Sequence, residues 1–253
     1  MLRISETYWA GKGKLLRLLS ELEASESYLR TLYFTPASLV PPKPRSPASA
    51  ANLRTSRIDV VLEELGESET GAVVFMGEHQ IIAVVPPFPQ AMDRSSEGVD
   101  VSPLRDLLNS DLLIGVVLLR LKRYAIGVLK GDSLVASKTD TRYVKNRHRA
   151  GGTSQRRFER SRERLVRELF DKTCEITMNI ISPYGDKIDY ILMGGERHTL
   201  RGFVERCRYM QDNERKTLKR LVRVDKPNHE ALEKIAFEVW KSKVLVFSDD
   251  LTD

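Results

Sequence analysis

The chain has 253 residues, 41% hydrophobic and 30% charged, with a net charge of +6. That length and balance imply a globular protein with a real core, built as one large domain or one domain with a small appendage. No apolar run approaches the ~20 residues of a membrane span. "MLRISETYWAGKGK" lacks the apolar core of a signal peptide, so the expectation is a soluble, unsecreted chain without a membrane partner.

Along residues 14–34, "KLLRLLSELEASESYLRTLYF" places Leu15, Leu18, Leu19 and Leu22 at helical spacing, which predicts an amphipathic helix. "TPASLVPPKPRSPASA" follows, with prolines at 36, 41, 42, 44 and 47 that remove backbone donors and predict an extended connector. "RIDVVLEELGES" reads as a helix ending near Gly66. "GAVVFMGEHQIIAVVPPFP" then holds two apolar runs around a turn at Gly77, a hairpin signal. After a helix at "SPLRDLLNS", the segments "LLIGVVLLRL", "RYAIGVLKG" and "SLVASKTD" predict a three-stranded meander. Helical spacing of Phe158, Leu165, Val166 and Leu169 begins an alternation of helix and strand. It continues through "KIDYILMGG", "ERHTLRGFVERCRYM", "LKRLVRV", "HEALEKIAFEVWKS" and "KVLVFSDD". A meander followed by βαβ units implies an α/β fold, a mixed sheet flanked by helices. The expected division is an N-terminal helical segment with its proline-rich connector over 1–68 and a catalytic domain over 69–253.

Charge is concentrated in one place. From Arg142 to Arg167 there are ten Lys or Arg against Glu159 and Glu163, so 10 − 2 = +8, leaving −2 for the rest of the chain. At the centre of this segment stands "HRAGGTSQRRFERSRERL". Gly151 and Gly152 permit a narrow tip where a side chain would collide. Thr153 and Ser154 supply hydroxyls able to cap the helix that follows. Gln155 falls at that helix start. Arg142, Lys145, Arg147, His148, Arg149, Arg156, Arg157, Arg160 and Arg164 are the candidate RNA-binding residues, because a guanidinium offers phosphate a planar, permanently charged fork. Tyr143 and Phe158 have faces suited to stacking on bases, although the spacing of Phe158 to Leu165 favours core packing. Composition alone fits equally a solvated arginine-rich helix.

This segment resembles the catalytic loop of the Vms-like release factor family, relatives of the middle domain of eukaryotic and archaeal class-1 release factors. Those proteins carry Gly-Gly-Gln, or a variant with small residues before the glutamine, on a basic loop feeding a long helix. The resemblance implies an RNase H-like fold over roughly residues 70–253. It also implies a cytoplasmic peptidyl-tRNA hydrolase that frees the nascent peptide on stalled or split ribosomes. Its partners would be the rRNA of the large ribosomal subunit and peptidyl-tRNA; it would be monomeric and need no metal or cofactor. Gln155 would position the water and Gly151, Gly152, Thr153 and Ser154 would shape the loop. The spacing here is Gly-Gly-Thr-Ser-Gln, which departs from Gly-Gly-Gln. Cleavage of the tRNA near its 3′ end, or ribosome binding without catalysis, are the alternatives.

Other candidates are weaker. Asp186, Asp189 and Glu196 flank one strand and Asp132 and Asp140 lie near turns, a poor match to the clustered carboxylates of a two-metal nuclease. His79, His198 and His229 have no metal-ligand spacing. Gly194 and Gly195 precede a helix and read as a turn rather than a phosphate cradle. Cys174 and Cys207 are too few for a disulfide framework or a four-ligand zinc site, which fits a reducing compartment.

Overall fold

In a computed structural model, residues 2–39, 56–144 and 153–249 are described. Most of the proline-rich connector lies outside them. The chain divides into two compact units, Met1–Ser110 with Phe237–Asp253, and Asp111–Ala236.

The first unit contains β1 (Leu2–Ala10), α1 (Lys12–Glu23), β2 (Tyr28–Phe34), α2 (Pro36–Leu39), α3 (Ser56–Leu65), β3 (Ala72–Gly77), β4 (Gln80–Val85), β5 (Arg94–Glu97) and α4 (Ser102–Asn109). The second contains β6 (Leu113–Arg120), β7 (Arg123–Lys130), β8 (Ser133–Thr141), α5 (Thr153–Ile181), β9 (Tyr190–Gly195), α6 (Arg197–Arg206), α7 (Arg208–Asp212), β10 (Thr217–Val222) and most of α8 (His229–Glu238). The last strand, β11 (Ser242–Asp249), returns to the first unit.

The first sheet has the order β1-β11-β4-β3-β2-β5, antiparallel throughout. The predicted hairpin at Gly77 is present as β3 and β4, with Met76 opposite Ile81. Ile58, Val61 and Leu62 of α3 close one face over Leu32, Phe34, Leu245 and Phe247. Each such fully buried side chain contributes about 1.5–3 kcal/mol. Two expectations are corrected here. The leucine-rich helix stops at Glu23 and Tyr28–Phe34 is a strand, so residues 1–68 supply two strands of a sheet besides their helices. The closing strand β11 lies between β1 and β4 instead of joining the βαβ units, so the boundary near residue 69 does not match the two units. Long-range pairing decides both, and no local signal carries it.

The second sheet has the order β10-β9-β6-β7-β8, with β9 parallel to β6, β10 parallel to β9, and β7 alone running against the others. A meander extended by two parallel strands on its first strand is the RNase H-like mixed sheet that the resemblance implies. β6 and β7 are buried along nearly their whole length, as continuous apolar runs covered on both faces must be. α5 and α6 pack on one face, where Leu169, Phe170, Leu200 and Phe203 meet Val117, Leu119, Ile126 and Val128. Gly195 has φ +134°, and a Cβ there would stand 2.0 Å from the Leu119 carbonyl oxygen. The glycine is required by a close backbone approach, which supports the reading of Gly194–Gly195 as a turn.

The only two cysteines are joined. Cys174 of α5 and Cys207, between α6 and α7, form a single disulfide with Cα atoms 5.4 Å apart, a pairing that the reading of a reducing compartment did not anticipate. Beside it, Arg206 donates to both oxygens of Asp171, Nη2 to Oδ2 at 2.8 Å, and this hydrogen bonding holds the Asp171 carboxyl below its usual range. Both links tie the lower half of α5 to α6. Closing a loop of 33 residues constrains the unfolded chain by about 4 kcal/mol. Cys174→Ser, or reduction, is therefore expected to lower the unfolding free energy by about that amount in urea titrations with and without reductant. Superimposed curves would mean that the thiols are free in solution.

Candidate functional site

The basic segment leaves the second sheet at the end of β8 and returns through α5. At its root the Tyr124 hydroxyl donates to Asp140 Oδ2 at 3.3 Å. Burial first, and the Asp140 charge second, push Tyr124 up to about 12, so it stays a neutral donor holding the strand end. Arg142 is exposed, and its backbone N–H donates to the Lys122 carbonyl at 2.7 Å. Tyr143 is 74% exposed, whereas Val144 is buried in the core and anchors the chain before it departs. Lys145, Arg147, His148, Arg149, Gly151 and Gly152 lie outside the described residues.

The chain re-enters as α5, whose 29 residues span about 43 Å. The helix begins at Thr153, where the small hydroxyl residues predicted a start. Gln155 is therefore its third residue. No residue from Gln155 to Glu168 is fully buried, although Val166 packs against the core and the Arg162 Nε is enclosed; the first fully buried one is Leu169. The upper half of α5, about 24 Å long, is thus a stalk, while the lower half is fixed by the core and the disulfide. Phe158 is 49% exposed and is not among the core residues, so the expectation of core packing for it is corrected.

Arg156, Arg157, Arg160, Arg164 and Arg167 are all exposed. Among the described residues, only Arg164 has a carboxylate partner in this set, Glu168 at 3.7 Å. Like-charged pairs four residues apart, Arg156 with Arg160 and Arg160 with Arg164, cost helix stability. Such a stalk gains most from meeting a polyanion. Its first turn contains no acidic residue. The first amides of a helix have no intrahelical acceptor and carry its positive end, and the N–H of Gln155 is one of them. The Gln155 side chain donates from Nε2 to Glu159 Oε1 at 3.0 Å. Sequence reading counted Glu159 only as a charge; its four-residue spacing from Gln155 was the available signal.

The remaining candidates have local tasks. Asp189 Oδ2 accepts from the Leu113 N–H, Glu196 accepts from the Thr199 hydroxyl, and His229 lies 3.2 Å from the Ser137 hydroxyl. Among the described residues, no three His, Cys, Asp or Glu stand close enough to share an ion, and no helix is long and apolar enough to cross a membrane.

A mixed sheet that raises a cationic helix, with a glutamine at its free end, defines a release-factor type of α/β protein. The chain belongs to the Actinobacteria/chloroflexi VLRF1 release factor family, whose model matches residues 113–245. Among curated proteins it is similar to peptide chain release factor subunit 1 of Archaeoglobus fulgidus, 36% identical over 42% of this chain and 26% of the relative. It is also similar to the Aeropyrum pernix protein of the same name, 28% identical over 80% of this chain and 62% of the relative. The chain thus spans between about a quarter and three fifths of these relatives. Among solved structures, an archaeal translation termination factor, aRF1, aligns with 91% of this chain and 73% of its own at 21% identity and a TM-score of 0.39. The Vms1 mitochondrial localization core aligns with 68% of this chain and 74% of its own at 13% identity and a TM-score of 0.40.

Proposed function

We propose that this protein is a cytoplasmic, monomeric peptidyl-tRNA hydrolase of ribosome rescue, which frees the nascent peptide on stalled or split ribosomes without a metal. The observation that most supports this reading is the mostly exposed, cationic upper half of α5 with Gln155 at its free end. The arginines hold rRNA and the acceptor end of tRNA, and the stalk carries the tip into a space too narrow for the folded unit. A glutamine amide is no base at neutral pH, so its task is to orient a water against an ester that is already activated. The N–H of the same residue favours negative charge developing at the ester or on the leaving 3′ oxygen. Thr153 and Ser154 set the helix start, and Gly151 and Gly152 keep the tip slender.

The test is a product analysis. Large subunits carrying peptidyl-tRNA labelled in both peptide and tRNA are incubated with the protein. The expected result is free peptide with intact tRNA. A shortened tRNA would assign the nuclease activity instead. Binding without either product would leave an anchoring role and overturn the proposal.

A further inference from the structure

We infer that Glu159 is a positioning residue for Gln155, fixing which end of its amide faces the reacting water; this rests on the reading just proposed. An ionised carboxylate can only accept hydrogen bonds. The contact between Gln155 Nε2 and Glu159 Oε1 at 3.0 Å therefore has one chemically sensible polarity, with the NH₂ group turned to Glu159. The amide oxygen, Oε1, is left to accept a proton-bearing partner from the other side. A water held by that oxygen through one of its hydrogens turns a lone pair away from it, the orientation that attack on a carbonyl carbon requires. With the amide reversed, Gln155 would donate to the same water, take up one of its two lone pairs and no longer hold one of its hydrogens, so the orientation for attack would be lost.

The surroundings favour this reading over simple charge balance. From Thr153 to Arg164 the helix holds five arginines and two acids, Glu159 and Glu163. An acid among these arginines offsets part of their repulsion, but charge balance alone would not require it to contact the side chain of Gln155. Glu159 is exposed and stands one helical turn below Gln155, so it reaches the amide without entering the tip. In water such an exposed four-residue pair biases the amide only about twofold. Once RNA encloses the stalk and the local dielectric falls, the same contact is stronger and the bias grows.

Three substitutions test it, by single-turnover peptide release against ribosome concentration. Glu159→Gln keeps an acceptor oxygen within reach but adds a donor that can pair with the opposite end of the Gln155 amide, so the polarity is only partly fixed and the rate is expected to fall about twofold to threefold, between wild type and Glu159→Ala. Glu159→Ala frees the amide and is expected to slow the bound step about fivefold to tenfold, with half-saturation unchanged or at lower ribosome concentration. Glu159→Lys replaces an acceptor with a donor, draws Oε1 towards itself and is expected to be slowest while binding most tightly. Glu159 is on the solvent side of the helix, so the melting temperatures of all three variants should match the wild type. Rates that follow only the charge at 159, or that do not change at all, overturn the inference. If those rates are unchanged while Gln155→Ala is inactive, the hydrolase reading survives its loss; an active Gln155→Ala overturns both.

Discussion

Replacing Gln155 by alanine is expected to slow peptide release by about a hundredfold or more while leaving ribosome binding unchanged. The separation follows from where the residue stands. Gln155 is the third residue of α5, fourteen positions before Leu169, the first fully buried residue of the helix, so it lies outside the core. Phosphate affinity is expected of the arginines after it. Alanine also keeps the backbone N–H, one of the first amides of the helix, so the residual rate of this variant measures what the main chain supplies alone. Gln155→Pro removes that donor too, at a position in the first turn where proline is tolerated. A further loss in the proline variant would assign the main chain a share of the stabilisation. Equal rates for the two would place the whole effect in the side chain. A rate for Gln155→Ala equal to the wild type would remove glutamine from the chemistry.

How much of this was legible in the sequence depended on the distance over which each signal acts. The meander β6–β8 was readable because unbroken apolar runs are separated by tight breaks, and the start of α5 because small hydroxyl residues precede its periodic stretch. β2 was not. Between Glu23 and Tyr28 stands no glycine or proline, and Leu29 and Leu32 extend the leucine spacing of α1, although Leu29 is 58% exposed and Leu32 buried. β1 has exposed side chains on both faces of an edge strand, with no alternation to find. β11 was visible as a strand, but its place between β1 and β4 joins residues more than 150 apart in sequence. The disulfide is equally non-local: two cysteines 33 residues apart carry no sign of pairing until α5 and α6 are packed together. At the site, composition gave the charge but not its exposure. Phe158 shows the limit, since its spacing is that of a core residue and yet it meets solvent.

Neutralising Arg156, Arg157 and Arg160 together should weaken ribosome binding by about two to three powers of ten near 0.1 M salt and lower the salt slope by about three. Each cation that meets a phosphate releases condensed counterions, so affinity and its salt dependence fall together. Arg164 is left in place because its contact with Glu168 already offsets part of its charge. The same substitution should act in the opposite direction on the free protein. Removing the repulsion between Arg156 and Arg160, and between Arg160 and Arg164, relieves a stalk that contains no fully buried residue. Amide exchange over residues 156–166 is therefore expected to slow in the triple alanine variant, while exchange in the anchored half beyond Leu169 stays the same. A variant that lost binding because its stalk had unravelled would exchange faster there. Slower exchange combined with weaker, less salt-sensitive binding is the outcome expected if the arginines are kept for a partner at a standing cost to the helix that carries them, once the higher helix propensity of alanine is allowed for with a triple glutamine variant.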